Sequence, residues 1–400
     1  MDQTTPPLPP DDTGPPEAAL AEATPVMAQF LRLKAEHPDF LLFFRMGDFY
    51  ELFFEDAVEA AAALDIALTR RGRHQGEDIP MCGVPAERAD PYLEKLIRKG
   101  FRVAIAEQIE DPAEARKRGA KAVVARAVVR LVTAGTLTEE ALLEARAPNY
   151  LAALALPAKG GPSLAWLDLS TGELGYESLS PGEVMAALAR LDPAEILIPD
   201  GAALTGPLAP LAGEMARKVV LRPPASFAPK AAERRLLSLY GVATLDGLGR
   251  FGEDDLSALG ALADYVELTQ KGARPALCPP RPHGQGATVL IDAATRANLE
   301  LAQTARGARG GSLLAAIDET VTAGGGRLLA RWLQAPLTDL AAITGRHDAV
   351  GWLVDRPDLR GALRARLRRM PDVERALQRV LMGRGGPRDL GALRDGLTGA

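Results

Sequence analysis

Between Leu41 and Phe54 the chain reads LLFFRMGDFYELFF, and this stretch constrains the fold more than any other. Leu41, Leu42, Phe43 and Phe44 form a run short and aromatic enough for a buried strand, and Gly47 permits a sharp turn after it. A helix is predicted to start there: Asp48 suits the N-cap, and Glu51 three residues later completes a capping box. Phe49 then falls at the first helical position. Two readings follow. Phe49 can stack over Phe53 and continue into the Ala57, Ala60, Ala61, Leu64 stripe as core, leaving Glu51 as a cap only. Alternatively, Phe49 and Glu51 face outward together, an aromatic wedge beside a polar probe. The residues alone leave both open.

Four hundred residues with 47% hydrophobic content can supply two or three cores. No apolar run approaches the roughly 18 residues of a membrane span, and no basic stretch followed by an apolar one opens the chain, so a soluble, cytoplasmic protein is expected. Cys82 and Cys278 lie far apart, and His37, His74, His283 and His347 are scattered, so neither a disulfide framework nor a metal site is expected. The net charge of −5 is carried by residues 1–23, which hold Asp2, Asp11, Asp12, Glu17 and Glu22 and no basic residue. The rest is balanced, and a balanced domain binds nucleic acid if its basic groups cluster. Charge neither supports nor excludes DNA.

Residues 1–23, rich in Pro and Asp, cannot bury enough surface to offset their ordering entropy and are expected to be a disordered tail. Thr24 and Pro25 then open a helix to about Glu36 with Met27, Phe30, Leu31 and the Lys34 stem on its apolar face. Thr69 to Asp78 reads as a polar loop carrying Arg70, Arg71, Arg73 and His74: an ordinary solvated charge run, or a grip on phosphates. Asp90 and Pro91 open a helix over Tyr92 to Arg98, Gly100 stops it, and Phe101 to Ala106 reads as a strand. Lys95, Arg98, Lys99 and Arg102 form a second basic cluster there, a further candidate for a sequence-independent grip on phosphates. Further on, Val123 to Val132, Asn149 to Leu156, Leu164 to Leu169 and Glu195 to Ile198 read as strands, and Ser180 and Pro181 open a helix ending near Arg190. Pro275 to Pro282 is a proline-rich break, after which the chain turns helical.

GDFYELFFEDA, with TRRG at Thr69 to Gly72, IPMCGVP at Ile79 to Pro85 and YLEKLIRKGFRVAIAEQIEDP at Tyr92 to Pro112, closely resembles the mismatch-recognition domain of the MutS family of DNA mismatch repair proteins. The resemblance runs over nearly the whole chain. It continues through Asp292, Thr295, Asn298, Leu299, Glu300, Ser312, Asp318, Thr320, Arg327, Leu328, Trp332, Pro336 and Leu337, which match the start of the family's core and lever domain. It departs at Ala86 and Glu87, where the family usually has Tyr-His, and at Ala134, where TAGT replaces TPGT.

The resemblance implies a multidomain chain. Its parts would be an acidic tail over 1–23, an α/β mismatch-recognition domain over 24–130 and a linker over 131–140. An α/β ribonuclease-H-like connector over 141–272, a Pro-rich linker over 273–284 and a mainly α-helical core/lever segment over 285–400 would follow. Phe49 and Glu51 would read mismatches, with Met46 beside them, while Arg70, Arg71, Arg73 and His74 would contact the DNA backbone. Arg360, Arg364, Arg366, Arg368 and Arg369 form a further basic group, either facing DNA or paired with acids on a solvated face. Implied partners are double-stranded DNA with mismatches or small loops, a second copy in a homodimer, and a MutL-type repair protein. A nucleoid-associated cytoplasmic location is implied too, and no membrane.

No G-x-x-x-x-G-K-[ST] occurs, and Gly324 to Leu328 lacks the Lys and hydroxyl that hold phosphates and Mg2+. The chain is therefore expected to be the N-terminal part of a longer protein, not itself an enzyme and without a cofactor; ATP and Mg2+ are implied for a C-terminal ATPase domain. A rival reading is nuclease chemistry at Asp168, mid-strand in WLDLSTGE, with Glu173, Glu195 and Asp200 as metal-binding partners. Single acids among fifty-two are more often surface groups, and the resembled connector is not a nuclease.

Overall fold

A computed structural model describes residues 23–119, 122–157, 159–284 and 286–399; of the expected tail only Ala23 is among them. The chain divides into two compact units, Met1–Thr133 and Ala134–Ala400.

In the first unit α1 (Pro25–Glu36) begins as expected, with the Thr24 side chain accepting from the Met27 amide and Pro25 in the first turn. Its buried residues are Met27, Phe30 and Leu33, so Leu33 takes the place expected for Leu31. Then come β1 (Leu41–Met46), β2 (Phe49–Phe53), α2 (Phe54–Leu64), β3 (Thr69–His74), β4 (Glu77–Pro85), α3 (Asp90–Arg98), β5 (Val103–Gln108), α4 (Pro112–Lys117) and β6 (Arg126–Val132). The six strands make one sheet in the order β3-β4-β2-β1-β5-β6. β1 and β5 run parallel and the other neighbours antiparallel. Phe30 of α1 meets Phe44 and Phe53 edge-on, at centroid distances of 5.6 and 5.2 Å, closing one face of the sheet. Asp56 of α2 is buried, accepting from the Leu42 amide at 2.9 Å and from Lys34 Nζ at 2.7 Å, so one carboxylate ties α2 to both β1 and α1.

In the second basic cluster the two lysines are committed to the fold. Lys95 and Lys99 donate to the carbonyls of Leu64 and Ala63, at 2.7 and 2.6 Å, satisfying the end of α2. Arg98 pairs with Glu94 at 2.6 Å, and Arg102 lies over the Phe40 ring.

The second unit contains β7 (Tyr150–Ala155), β8 (Ser163–Asp168), β9 (Glu173–Ser178), α5 (Val184–Leu191), β10 (Glu195–Pro199), α6 (Ala209–Ala212), β11 (Val219–Arg222), α7 (Pro229–Tyr240), α8 (Glu253–Gln270) and β12 (Arg281–Pro282). Its sheet runs β11-β10-β7-β8-β9-β12. β7, β8 and β9 form an antiparallel meander, while β10 is parallel to β7 and β11. Side chains alternate across it. Leu151, Ala153, Ala165 and Leu167 face Leu259, Leu262 and Tyr265 of α8, and Ala152, Leu154, Leu164 and Trp166 face Val184, Leu188 and Leu191 of α5. This is the expected α/β arrangement, and it carries helices on both faces of the sheet.

Within the Pro-rich stretch, β12 pairs with β9, the Cys278 amide donates to the Gly172 carbonyl at 2.8 Å, and the Tyr240 hydroxyl donates to the Cys278 carbonyl at 2.8 Å. The helical part that follows comprises α9 (Ala293–Asn298), α10 (Leu313–Ile317), α11 (Ala323–Gln334), α12 (Leu340–Val354), α13 (Pro357–Leu367), α14 (Val373–Leu381) and α15 (Pro387–Gly399). Buried arginines join it to the sheet. Arg375 donates to Ser170 Oγ at 3.1 Å and to the carbonyls of Glu144 and Ala147, both at 2.9 Å. Arg327 forks onto Asp372 at 2.6 and 2.9 Å and also reaches the Ala145 carbonyl. No helix among the described residues is long and apolar enough to cross a membrane.

Candidate nucleic-acid interface

The helix predicted at Asp48 does not form. Phe49–Phe53 is a strand, paired with β1 through Met46↔Phe49 and Phe44↔Glu51 and with β4 through Phe49↔Pro85 and Glu51↔Gly83. Gly47 and Asp48 make a two-residue hairpin turn, Gly47 alone taking a positive φ of 60°, which is the pattern that matches strand twist. Two flanking ladders and a run of Phe and Tyr residues that favour a pleated surface outweigh a capping box. The helix begins at Phe54 instead, with Glu55 and Asp56 in its first turn.

Alternation along β2 sets the site. Tyr50 and Leu52 point to the buried side, and Phe49, Glu51 and Phe53 share the other. On that second side α1 covers Phe53 and Phe44 through Phe30, but its cover stops before Phe49, whose ring remains 47% exposed. The core reading of Phe49 is thereby excluded. Gly83, opposite Glu51, offers no side chain, which keeps the sheet surface beside Phe49 and Glu51 low enough for a close approach. Met46 lies across from Phe49, its sulfur 3.4 Å from Arg126 Nη2.

Glu51 does not cap a helix. Both of its carboxylate oxygens accept from Arg71 Nη1, at 2.5 and 2.6 Å, although the two residues lie 20 apart in sequence and on strands separated by β4. Arg126 is the second cation near it: burial lowers the Arg126 pKa, and the Glu51 charge acts in the opposite sense. Thr69–His74, expected as a loop, is strand β3 with an irregularity between Arg70 and Arg73. That irregularity sends its basic residues to different places. Arg70 and Arg73 share Asp78 at 2.9 and 3.0 Å, His74 stands edge-on to Phe54, and Arg71 alone of the four reaches Glu51. Neither Arg126 nor Gly83 carries a local signal in the sequence: Gly83 meets Glu51 only through the ladder between β2 and β4, and Arg126, three strands away on β6, acts on Glu51 through its charge.

On the opposite side of β2 the Tyr50 hydroxyl is held by Glu107, and burial, with that carboxylate, pushes its pKa up to about 12. Burial also pushes the Cys82 thiol up to about 11, so it stays protonated at neutral pH and unreactive.

Asp168 and Glu173 are opposite each other on β8 and β9, but each of the four carboxylates of the nuclease reading is engaged separately. Asp168 is buried and accepts from the Ser170 amide and hydroxyl at 2.9 and 2.6 Å and from the Asn149 amide at 3.2 Å, the work of a turn-holding residue. Glu173 pairs with Arg331, Glu195 accepts from Tyr265 and the Gly135 amide, and Asp200 caps its own turn at Gly201. Among the described residues no group of three or more His, Cys, Asp or Glu is placed to hold a metal.

Three family models match in order: MutS domain I over residues 24–141, MutS domain II over 149–278 and MutS domain III over 294–400. The chain is 56% identical over 377 residues to the DNA mismatch repair protein MutS of Paracoccus denitrificans, covering 94% of this chain and 42% of that protein. It is 56% identical over 387 residues to the MutS of Cereibacter sphaeroides, with 94% and 42% covered, and 54% identical over 380 residues to that of Azorhizobium caulinodans, with 94% and 41% covered. The chain thus spans about two fifths of the length of the curated relatives it matches.

Proposed function

Because the chain belongs to the MutS family of DNA mismatch repair proteins, we propose that the open end of β2 reads mispaired or unpaired bases in double-stranded DNA. The observation that carries this reading is the placement of Phe49. It is a large apolar ring, 47% exposed, on a strand hydrogen-bonded on both sides, with a carboxylate on the same face.

A mispaired step has fewer pairing and stacking interactions to lose, so it unstacks more readily than a Watson-Crick step. Phe49 enters from the minor groove, stacks on one base of the mispair and kinks the duplex, at a cost of a few kcal/mol for unstacking. Stacking returns roughly 1–3 kcal/mol and tolerates any base, since each has a π-face. The rigidity of β2 matters here, because a wedge that yields would lose the energy needed to open the step.

Glu51 supplies discrimination. A displaced base can donate a hydrogen bond to its carboxylate, whereas a perfectly paired base offers no such group within reach. Met46 flanks the wedge from β1. Arg70 and Arg73, three-quarters exposed and sharing one aspartate, add attraction to phosphates that is independent of sequence. His74, turned onto Phe54, contributes less than the sequence implied. In the full-length protein we assign ATP and Mg2+ to a further domain whose binding state is coupled to release from the mismatch. A homodimer and a MutL-type partner complete the proposal.

Titrating the full-length protein with a G·T heteroduplex and its matched homoduplex tests this reading. A preference for the heteroduplex that disappears in Phe49→Ala is expected. Equal affinity for both duplexes, or a preference untouched by Phe49→Ala, would overturn it.

A further inference from the structure

Two cations stand near Glu51, and they differ in freedom. Arg126 is anchored: it donates to the Arg45 carbonyl at 2.6 Å, the Val124 carbonyl at 2.8 Å and Gln29 Oε1 at 3.0 Å, and its guanidinium sits 4.7 Å from the Phe44 ring centre. It cannot follow a ligand. Arg71 has a side chain 49% exposed and, among the described residues, is held by Glu51 alone. The Arg71 end of the pair is open to water and salt, so a phosphate brought to the same face competes for Arg71. Glu51 is in the reverse position. Its side chain is only 13% exposed, so losing Arg71 would leave a carboxylate short of both water and a full counter-charge.

The asymmetry makes the departure of Arg71 conditional on a replacement donor for Glu51. Resting on the wedge reading above, we propose that Arg71 is a specificity-determining residue. Over intact duplex it stays on Glu51; at a mispair, where a displaced base donates to Glu51, it is released to a DNA phosphate. Mismatch binding then uses one more phosphate contact than binding to matched DNA. The sequence suggested a plain phosphate grip for Arg71, and the ion pair turns that grip into one available only at a mismatch.

Counting released counterions measures this directly, because each phosphate contact adds about 0.9 to the slope of log affinity against log salt. For the full-length protein the heteroduplex slope should exceed the homoduplex slope by about 0.9, so mismatch preference narrows roughly 3.5-fold between about 50 and 200 mM salt. In Arg71→Gln the heteroduplex slope should fall to the homoduplex value. In Glu51→Gln, which frees Arg71 on any DNA, the homoduplex slope should rise to the heteroduplex value. Equal slopes in the parent protein, with both falling together in Arg71→Gln, would make Arg71 an unconditional phosphate contact and overturn the proposal. Slopes that neither variant moves would make the pair merely structural and overturn it as well. Phe49→Ala, measured alongside, separates the two levels: if mismatch preference does not depend on Phe49 the wedge reading itself fails, whereas Phe49-dependent preference with equal slopes removes Arg71 alone.

Discussion

Phe49 and Phe53 lie on the same face of the same strand, yet Phe53 is wholly buried under Phe30 and Phe49 is 47% exposed. The boundary of the core thus falls within five residues of β2. Removing the two rings should have opposite consequences. Phe53→Ala is expected to destabilise by about 3–5 kcal/mol, the usual effect of emptying a buried aromatic site. Phe49→Ala should stay within about 0.5 kcal/mol of the parent in thermal melting while losing mismatch preference. A strongly lowered melting temperature for Phe49→Ala would return that ring to the core.

Glu51→Gln keeps a side chain able to hydrogen-bond a base but removes the charge. Homoduplex binding should strengthen more than heteroduplex binding, so that selectivity falls while total affinity rises. Since Glu51 lies mid-strand, no loss of helix capping accompanies the change. Both duplexes are to be titrated at one salt concentration, because phosphate contacts make affinity steeply salt-dependent. An unchanged ratio of affinities would remove Glu51 from the site.

Arg375, 3% exposed, satisfies Ser170 Oγ and the carbonyls of Glu144 and Ala147. Arg375→Met strands acceptors whose desolvation is worth about 1–3 kcal/mol each, and an overall loss of at least about 2 kcal/mol is expected. For a unit of this size that lowers the melting temperature by roughly 4–8 °C. Arg366→Met, on an exposed position of α13, should leave it unchanged. Equal melting of the two variants would show that the Arg375 contacts carry no net stability.

His283 should make the fold sensitive to acid. Burial, aided by the Arg190 charge, lowers its pKa from 6.5 to about 4, and the folded ring stays neutral where the unfolded one binds a proton. Its contribution to stability is therefore complete above about pH 6.5, lost progressively as pH falls, and gone near pH 4. His283→Gln should retain a polar partner for Thr288 and flatten the stability profile across that window relative to the parent. Parallel profiles would show that His283 titrates normally.

Much of the fold was legible because its signals are local. The Thr24 cap, the apolar runs at Leu41 to Phe44 and Glu195 to Ile198, and the Asp90-Pro91 helix start each state their structure within a few residues. The hairpin at Gly47-Asp48 was also written in the chain, since Gly-X between two apolar runs is a turn signature, but Asp48 and Glu51 imitate a capping box equally well. Only the ladders to β1 and β4 decide between them. The Arg71 to Glu51 pair had no such signal. It depends on β4 lying between the two strands and on an irregularity in β3, neither of which short-range periodicity encodes. Likewise, Lys95 and Lys99 resemble a DNA grip in sequence and prove to be donors to the end of a neighbouring helix.

The double pairing of β2 has a consequence for how this site can change over evolutionary time. Sliding the strand by one residue against either neighbour would turn Leu52 and Tyr50 off the face where they are buried and press Glu51 into the apolar interior. A shifted ladder is therefore forbidden by the core and not by the ligand. The position of Phe49 is inherited from the needs of folding, and it holds even where nothing is bound.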